Sequence, residues 1–130
     1  MVLDTSALLA MLLGEPERDR FIAALAEAED PLISAGTLLE ASIVVQNKLG
    51  DAGLVDLDEL MSAAEVRCVA VDLAQVHAAR DAFARFGKGR DAAGLNSGDC
   101  FSYALAKVTG QSLLFKGEDF SQTDMIPAIA

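Results

Sequence analysis

The stretch Met1-Val-Leu-Asp4-Thr-Ser6-Ala7-Leu-Leu-Ala-Met-Leu-Leu13 decides the fold that we expect for this chain. It opens with a short apolar run, and three polar residues, Asp4, Thr5 and Ser6, follow directly. Side chains of these types favour the start of a helix, because they accept hydrogen bonds from backbone N–H groups that lack a partner in the first turn. The stretch therefore predicts a short strand, a polar turn and a first helix over about residues 7–13.

The same alternation of short apolar runs and helical patterns continues along the chain. Further strands are predicted at Pro31–Ser34, Val66–Val71 and Ser112–Phe115, with a weak fifth strand at Met125–Ile129. Helices are predicted after the break at Gly14–Pro16, over about Thr37–Leu49 with a stop at Gly50, over Asp56–Ala64, from the cap Asp72 to about Phe86, and from near Asp99 to Val108. The alternation predicts an α/β fold, a three-layer α/β/α sandwich with a mainly parallel sheet. A chain of 130 residues has room for a single domain over residues 1–130.

Composition and charge argue against several classes of protein. The formal net charge is −10, from 10 basic and 20 acidic residues, which argues against a nonspecific coat on DNA. The longest apolar stretch, Ala7–Leu13, is too short to cross a bilayer, and the N-terminus carries an acid at position 4 in place of a basic leader. One histidine and two cysteines without a CxxC spacing argue against a zinc site. We therefore expect a cytoplasmic protein without membrane association.

Four acids lie at strand ends or helix starts. Asp4 follows the first predicted strand, Glu40 lies in the first turn of the helix after the second, Asp99 opens the helix before the fourth, and Asp119 follows that fourth strand. Sites in parallel α/β sheets form beyond the carboxyl ends of the strands, so these acids can converge on one edge. Carboxylates without nearby histidine or cysteine favour Mg²⁺ or Mn²⁺. The pattern therefore indicates metal-assisted hydrolysis of a phosphodiester.

Each acid also has a local structural interpretation. Asp4 suits an N-cap, Asp119 suits a turn, and Thr37-Leu-Leu-Glu40 fits a capping box. Asn96 and Asp99 form a second capping pair, and the helix N-terminus is expected to lower the pKa of the Asp99 carboxyl and keep it ionised. Caps account for acids at helix starts, but they do not require all four acids at one edge of a sheet.

Four motifs, taken in order, resemble those of the PIN-domain ribonucleases. They are Val2-Leu-Asp4-Thr-Ser6-Ala-Leu8, Thr37-Leu-Leu-Glu40-Ala-Ser42, Leu95-Asn96-Ser-Gly-Asp99-Cys100 and Leu114-Phe-Lys-Gly-Glu-Asp119-Phe-Ser-Gln-Thr-Asp124. In motif order, spacing and length the chain is similar, more narrowly, to the VapC toxins of bacterial type II toxin–antitoxin pairs. The resemblance implies a Mg²⁺-dependent endoribonuclease, with Mn²⁺ able to substitute, that cleaves structured RNA such as tRNA or rRNA.

The resemblance also implies roles for individual residues. Asp4 and Asp99 would bind the metal directly. Glu40 and Asp119 would complete the cage and help to orient or deprotonate the attacking water. Two nearby acids are alternatives for the fourth position, Glu118 and Asp124. Hydroxyl and amide groups would support the site from three polar neighbours, Thr5, Ser6 and Asn96.

Partners are implied in the same way. A cognate VapB-like antitoxin would block the site with its C-terminal tail and bind operator DNA through its other end. Toxin homodimers and larger toxin–antitoxin complexes are expected. The chain shows no DNA-binding motif of its own, so direct DNA binding by this chain is not expected.

Basic residues concentrate just before the Asp99 helix. Four of the ten lie between positions 80 and 90, namely Arg80, Arg85, Lys88 and Arg90. A flexible basic loop beside an acidic metal site guides phosphate groups, which predicts RNA contacts from Arg85, Lys88 and Arg90 and from Lys116. The alternative is a solvated helix end, where basic side chains suit the helix dipole.

Two other functions compete with this hypothesis. A phosphatase or phosphotransferase would use Asp4 as its nucleophile, but the haloacid-dehalogenase pattern has a second aspartate where this chain has Ser6. A non-catalytic PIN fold that only contacts RNA or protein is the other alternative, and the presence of all four acids argues against it.

Overall fold

Residues 1–129 are described by a computed structural model, and they form four short strands and five helices. The strands are β1 (Val2–Leu3), β2 (Leu32–Ser34), β3 (Arg67–Val69) and β4 (Leu113–Leu114). The helices are α1 (Thr5–Leu12), α2 (Arg18–Glu27), α3 (Ala35–Ala63), α4 (Leu73–Phe86) and α5 (Ser97–Thr109), and a 3-10 turn covers Phe120–Gln122. None of the helices within residues 1–129 combines the length and apolar character that a membrane span requires.

The four strands form one parallel sheet in the order β3-β2-β1-β4. Val2 pairs with Leu32 on one side and with Leu113 on the other. The chain therefore adds β2 and then β3 on one side of β1, and it later adds β4 on the other side of β1. This reversal makes the carboxyl ends of β1 and β4 a topological switch point, where sites form in such sheets. The predicted α/β class with a mainly parallel sheet is confirmed.

Alternate side chains of the strands point to opposite faces of the sheet, and each face carries its own core. The strand residues that pack with α1, α2 and α3 are Leu3, Ile33 and Leu114. Those that pack with α4 and α5 are Val2, Leu32 and Leu113. Strands β1 and β4 are wholly apolar because helices cover both faces, and the result is the predicted three-layer sandwich.

Two predicted boundaries differ from the structure. The first helix begins at Thr5 and not near residue 7, because the Asp4 carboxylate caps it by accepting from Ser6 N. The fifth strand predicted over Met125–Ile129 is wrong, since this segment contributes only an isolated bridge between Leu113 and Pro127. Two backbone hydrogen bonds make this bridge, from Leu113 N to Ile126 O at 2.9 Å and from Ala128 N to Leu113 O at 2.8 Å.

The helices predicted on either side of Gly50 are two halves of one long element. The stop at Gly50 is confirmed, because its φ of 67° and ψ of −158° break the helical geometry inside α3. The gap predicted before Asp56 is helical, since the second half begins directly after the break. This combination of φ and ψ is open to glycine and strained for any residue with a Cβ.

The variant Gly50→Ala tests the break. We expect it to lower the free energy of unfolding by about 1–3 kcal/mol, because alanine must adopt the strained conformation. The added Cβ meets no atom within 4 Å, so the effect reports on the backbone alone. A continuous helix would give the opposite sign, since alanine stabilises a helix interior by about 0.5–1 kcal/mol relative to glycine. Chemical denaturation measures the difference, and a stabilised variant contradicts the break.

Candidate metal centre

Asp4 places a carboxylate in the protein interior, at the carboxyl end of β1. The residue is 3% exposed. Oδ2 accepts from Ser6 N at 3.0 Å and from Ser6 Oγ at 2.6 Å, and Oδ1 accepts from Ser102 Oγ at 2.6 Å. Burial raises the pKa of Asp4 above its ordinary value, although the hydrogen bonds from Ser102 and Ser6 oppose the rise. The predicted N-cap is confirmed, and the same carboxylate also anchors α5 through Ser102.

Ser102 belongs to this arrangement, although the sequence analysis did not select it. It is fully buried, and its Oγ lies 3.0 Å from Thr37 Oγ1 in addition to its bond with Asp4. The hydroxyl pair therefore links α5 to α3 beside the carboxylate. Two features of the sequence could have identified Ser102. It is a hydroxyl residue within the apolar run of α5, and it follows Asp99 by three positions, which places both residues on nearly the same helix face.

Glu40 is held between α1 and the start of α5. Its Oε1 accepts from Thr5 Oγ1 at 2.6 Å. A Cβ added to Gly98 would lie only 1.8 Å from Glu40 Oε2, so the carboxylate occupies space that a glycine leaves open. The capping box predicted for Thr37 and Glu40 is wrong, because α3 begins earlier, with Ser34 as its N-cap. Glu40 therefore lies beyond the cap, and its carboxylate contacts Thr5 and not the backbone at Thr37.

Asp99 combines a cap with a perturbed carboxylate. The capping box is confirmed: Asn96 Oδ1 accepts from Asp99 N at 2.9 Å, and Asp99 Oδ2 accepts from Asn96 N at 3.0 Å. Burial raises the pKa of Asp99 to about 7, and the negative charges of three nearby acids add to the rise: Asp4, Asp119 and Glu40. The expectation of a lowered pKa is wrong for the metal-free protein, because burial and like charge outweigh the hydrogen bond from Asn96 N.

Asp119 brings the fourth charge to this group. It is exposed, directly precedes the 3-10 turn at Phe120–Gln122, and contributes to the raised pKa of Asp99. Asp124 is engaged elsewhere, because its carboxylate accepts from Tyr103 Oη and from Lys107 Nζ. Between these two acids, the geometry favours Asp119. We refer to Asp4, Glu40, Asp99 and Asp119 together as the carboxylate cluster.

Ser6 connects the cluster to the end of β4. Its Oγ donates to Asp4 and accepts from Lys116 N at 2.9 Å. The Lys116 side chain extends away from this contact to two glutamates, with Nζ 2.6 Å from Glu15 Oε2 and 3.1 Å from Glu17 Oε2. These carboxylates raise the pKa of Lys116 and neutralise its charge.

The basic residues of the segment 80–90 differ in their partners. Arg85 pairs with Asp81 at 3.4 Å and with Asp124 at 3.6 Å. The ion pairs formed within residues 1–129 include none from Arg80, Lys88 or Arg90. All three are exposed, so they present positive charge to solvent.

The donor set suits a hard divalent cation. Within residues 1–129, no group of three or more acidic, histidine or cysteine side chains is already arranged to hold a metal ion. Two of the carboxylates are held separately: serine hydroxyls donate to Asp4, and a threonine hydroxyl donates to Glu40. Burial is the main cause of the raised pKa of Asp99, and the negative charges of Asp4, Asp119 and Glu40 add to it, so these carboxylates repel one another. Oxygen-only ligands with excess negative charge are the chemistry that Mg²⁺ and Mn²⁺ require.

Comparisons with known proteins agree with this architecture. A family model for the PIN domain matches residues 1–125. Ribonuclease VapC30 of Mycobacterium tuberculosis is 51% identical over 125 residues, which cover 96% of this chain and 95% of the relative. Among solved structures, VapC20 of Mycobacterium tuberculosis superposes with a TM-score of 0.78 at 18% identity, and that protein is described as a sarcin-ricin loop cleaving toxin. The match covers 96% of this chain and 95% of the VapC20 chain.

A second solved structure shows the same fold at lower identity. It is the structure of VapBC2 from Rickettsia felis bound to a DNA fragment from the VapBC2 promoter. The TM-score is 0.76 at 14% identity, and the match covers 97% of this chain and 94% of the matched chain. The structural matches establish the fold, and the 51% identity to VapC30 over nearly the full length establishes the family. The chain belongs to the PIN-domain family and, within it, to the VapC ribonucleases.

Proposed function

We propose that this protein is a metal-dependent endoribonuclease, the toxic component of a type II toxin–antitoxin pair, with residues 1–130 acting as one PIN domain. Its substrate class is structured RNA such as tRNA or rRNA, which it meets in the cytoplasm. Its cofactor is Mg²⁺, for which Mn²⁺ can substitute. The observation that carries the proposal is the carboxylate cluster at the switch point of the sheet, in a chain of the VapC ribonuclease family.

The cluster divides into ligands and groups that act on water. Asp4 and Asp99 would hold the cation, and Glu40 and Asp119 would complete its surroundings. When bound, the cation would stabilise negative charge on the phosphate and increase the acidity of water. Glu40 or Asp119 orients the attacking water and accepts its proton as the phosphodiester is hydrolysed.

Polar neighbours hold these carboxylates in place. Ser6 and Ser102 bind the two oxygens of Asp4, Thr5 binds Glu40, and Asn96 binds Asp99. Supporting groups of this kind set the direction of a ligand and its affinity for a metal. We assign Thr5, Ser6 and Asn96 this positioning role, together with Ser102.

RNA contacts follow from the uneven distribution of positive charge. We propose that Arg85, Lys88 and Arg90 guide the phosphate backbone toward the cluster, since Lys88 and Arg90 form no ion pair among residues 1–129. We leave Lys116 out of this set, because its contacts with Glu15 at 2.6 Å and Glu17 at 3.1 Å are shorter than those of Arg85 with Asp81 at 3.4 Å and Asp124 at 3.6 Å.

The protein partner that we propose is a VapB-like antitoxin. The structural neighbour from Rickettsia felis is a VapBC2 complex on promoter DNA, which supports the same pairing here. In our proposal the antitoxin blocks the carboxylate cluster and binds the operator, while this chain makes no direct DNA contact. We also propose a homodimer of this chain within the larger toxin–antitoxin complex.

The alternative in which Asp4 is a phosphatase nucleophile has less support than the ribonuclease proposal. The haloacid-dehalogenase pattern requires a second aspartate at the position of Ser6, and the Ser6 hydroxyl here donates to Asp4 itself. The retained cluster and the ribonuclease relatives likewise favour catalysis over a binding-only PIN fold.

RNA cleavage with and without metal is the first test. We expect cleavage of total tRNA or rRNA to stop in EDTA and to return with excess Mg²⁺. Asp99→Asn keeps the capping acceptor but loses the charge, so we expect cleavage to fall by at least about 100-fold, beyond the usual effect of a supporting residue. Asp58→Asn removes an exposed acid on α3 and serves as the matched control. Metal-independent cleavage, or full activity in Asp99→Asn, contradicts the proposal.

The raised pKa of Asp99 predicts a pH-dependent cost to the metal-free fold. The folded state keeps the Asp99 proton up to about pH 7, whereas the unfolded chain releases it near pH 3.8, the ordinary pKa of an aspartate. Stability therefore falls as the pH rises through this window. Asp99→Asn removes the charge, and we expect it to stabilise the metal-free protein by about 1–2 kcal/mol near pH 8, after allowance for solvent screening. This stabilisation should vanish near about pH 4. Chemical denaturation of both proteins in EDTA at about pH 4 and pH 8 measures it. An equal difference in the free energy of unfolding at the two pH values contradicts the prediction.

The close approach of Glu40 to Gly98 gives an independent test of the cluster. In Gly98→Ala the added Cβ displaces the Glu40 carboxylate, which is the mobile end of its side chain. We expect kcat/KM to fall by about 10- to 100-fold, with little net change in stability because the helix propensity of alanine offsets the lost Thr5–Glu40 hydrogen bond. The matched control is the double variant with Glu40→Ala, in which Gly98→Ala should have no further effect. Additive losses would show that Gly98 acts by another route.

A further inference from the structure

Lys116 connects the carboxyl end of β4 to two other parts of the chain. Its backbone amide donates to Ser6 Oγ at 2.9 Å, which joins it to the start of α1. Its ammonium donates to Glu15 Oε2 at 2.6 Å and lies 3.1 Å from Glu17 Oε2. Both glutamates belong to the connection between α1 and α2. We call the contacts of the ammonium with these two glutamates the Lys116 clamp.

The amide contact fixes the direction of the hydrogen bond from Ser6 to Asp4. A backbone N–H can only donate, so Ser6 Oγ is the acceptor in its contact with Lys116. The single hydroxyl proton of Ser6 is then directed to Asp4 Oδ2, at 2.6 Å. The Lys116 amide therefore holds the serine in the orientation in which it donates to a carboxylate of the cluster.

Asp119 lies on a short segment between two anchors. The Lys116 clamp holds the near end of this segment, directly after β4. Phe120 holds the far end, since it is 2% exposed and its ring centroid lies 5.3 Å from that of Phe115. Gly117 lies between the anchors with a φ of 103°, a conformation that is open to glycine. The place of Asp119 therefore depends on both anchors.

The Lys116 clamp is more enclosed than an ordinary surface ion pair. The side chains of Lys116, Glu15 and Glu17 are 33%, 32% and 24% exposed, whereas those of the pair Arg18–Asp19 are 48% and 96% exposed. Glu17 Oε2 is itself buried, and the only ion pair of Glu17 within residues 1–129 is with Lys116. Solvent screens such a contact less than an exposed pair, so its loss has a larger effect.

We propose that Lys116 is a positioning residue of the metal centre, and that its clamp keeps the Ser6 hydroxyl on Asp4 and keeps Asp119 within the carboxylate cluster. This inference rests on the proposed function, in which the cluster holds a divalent cation. Lys116 itself contacts neither the cation nor RNA, because its charge is used within the protein. Loss of a supporting contact of this kind lowers metal affinity by about 10- to 100-fold.

The sign of the change in metal affinity tests the Lys116 clamp. Lys116→Met removes a positive charge close to the cluster, so electrostatics alone would tighten cation binding. Positioning predicts the opposite, and we expect the variant to bind Mn²⁺ about 10-fold more weakly than the wild-type protein. Electron paramagnetic resonance of free Mn²⁺ measures this affinity on the full chain without RNA. Lys116→Arg keeps the charge, so we expect it to restore binding.

Lys107→Met is the matched control. Lys107 also forms an ion pair, but with Asp124 at 2.9 Å and not with the α1–α2 connection, so we expect no loss of Mn²⁺ affinity. The double variant Glu15→Gln with Glu17→Gln removes the other half of the clamp. Adding Lys116→Met to it should cause no further weakening, because the three side chains act as one unit.

Amide hydrogen exchange in EDTA measures the clamp without metal. We expect the amide of residue 116 to exchange about 5-fold faster in Lys116→Met than in the wild-type protein, because the segment opens more often. A general loss of stability would instead accelerate the amide of the buried core residue Leu105 by the same factor. Equal acceleration at both positions contradicts a local clamp.

Three results distinguish the possible roles of Lys116. Equal or tighter Mn²⁺ binding by Lys116→Met overturns the proposal, and so does a loss that Lys116→Arg fails to restore. An unchanged Mn²⁺ affinity with a raised KM for RNA also overturns it, because Lys116 then contacts the substrate. If Lys116→Met weakens Mn²⁺ binding but the wild-type protein cleaves no RNA, the proposed ribonuclease function alone is refuted.

Discussion

The buried carboxylate of Asp4 is the constraint on which the rest of the structure depends. An ionised group at the end of the inner strand is costly to bury unless its oxygens are hydrogen-bonded. Ser6 satisfies one oxygen locally, but the other requires Ser102, which lies 98 residues away. The position of α5 relative to β1 is therefore set by a polar contact as well as by apolar packing. Because Ser102 also contacts Thr37, the same network extends to α3.

The start of α5 carries opposing demands at one residue. Asp99 closes a capping box with Asn96, which stabilises the helix start. Its side chain also joins three other acids in a partly buried setting, which raises its pKa to about 7 and opposes ionisation. A residue that stabilises the helix locally therefore carries an electrostatic cost in the metal-free fold. Costs of this kind concentrate at functional sites, where charge is placed for a ligand and not for stability.

The chain separates its charges, although the total is strongly negative. Lys116 is enclosed by Glu15 and Glu17, whereas Arg80 and Arg90 form no ion pair within residues 1–129. The acidic cluster and the unpaired arginines lie near the same end of α5, one suited to a cation and the other to phosphate. Local potential of this kind does not depend on the net charge of the whole protein.

The sequence by itself determined the elements that depend on near neighbours. Hydrophobic periodicity and short polar caps act over a few residues, so the α/β class, the Asp4 cap and the Asn96–Asp99 box were predictable. The long-range outcomes were not: the order β3-β2-β1-β4, the bond from Ser102 to Asp4, and the room that Gly98 leaves for Glu40. The helix dipole predicted a lowered pKa for Asp99, but burial and the approach of three other acids reversed it. Those terms depend on residues that only the tertiary structure brings together.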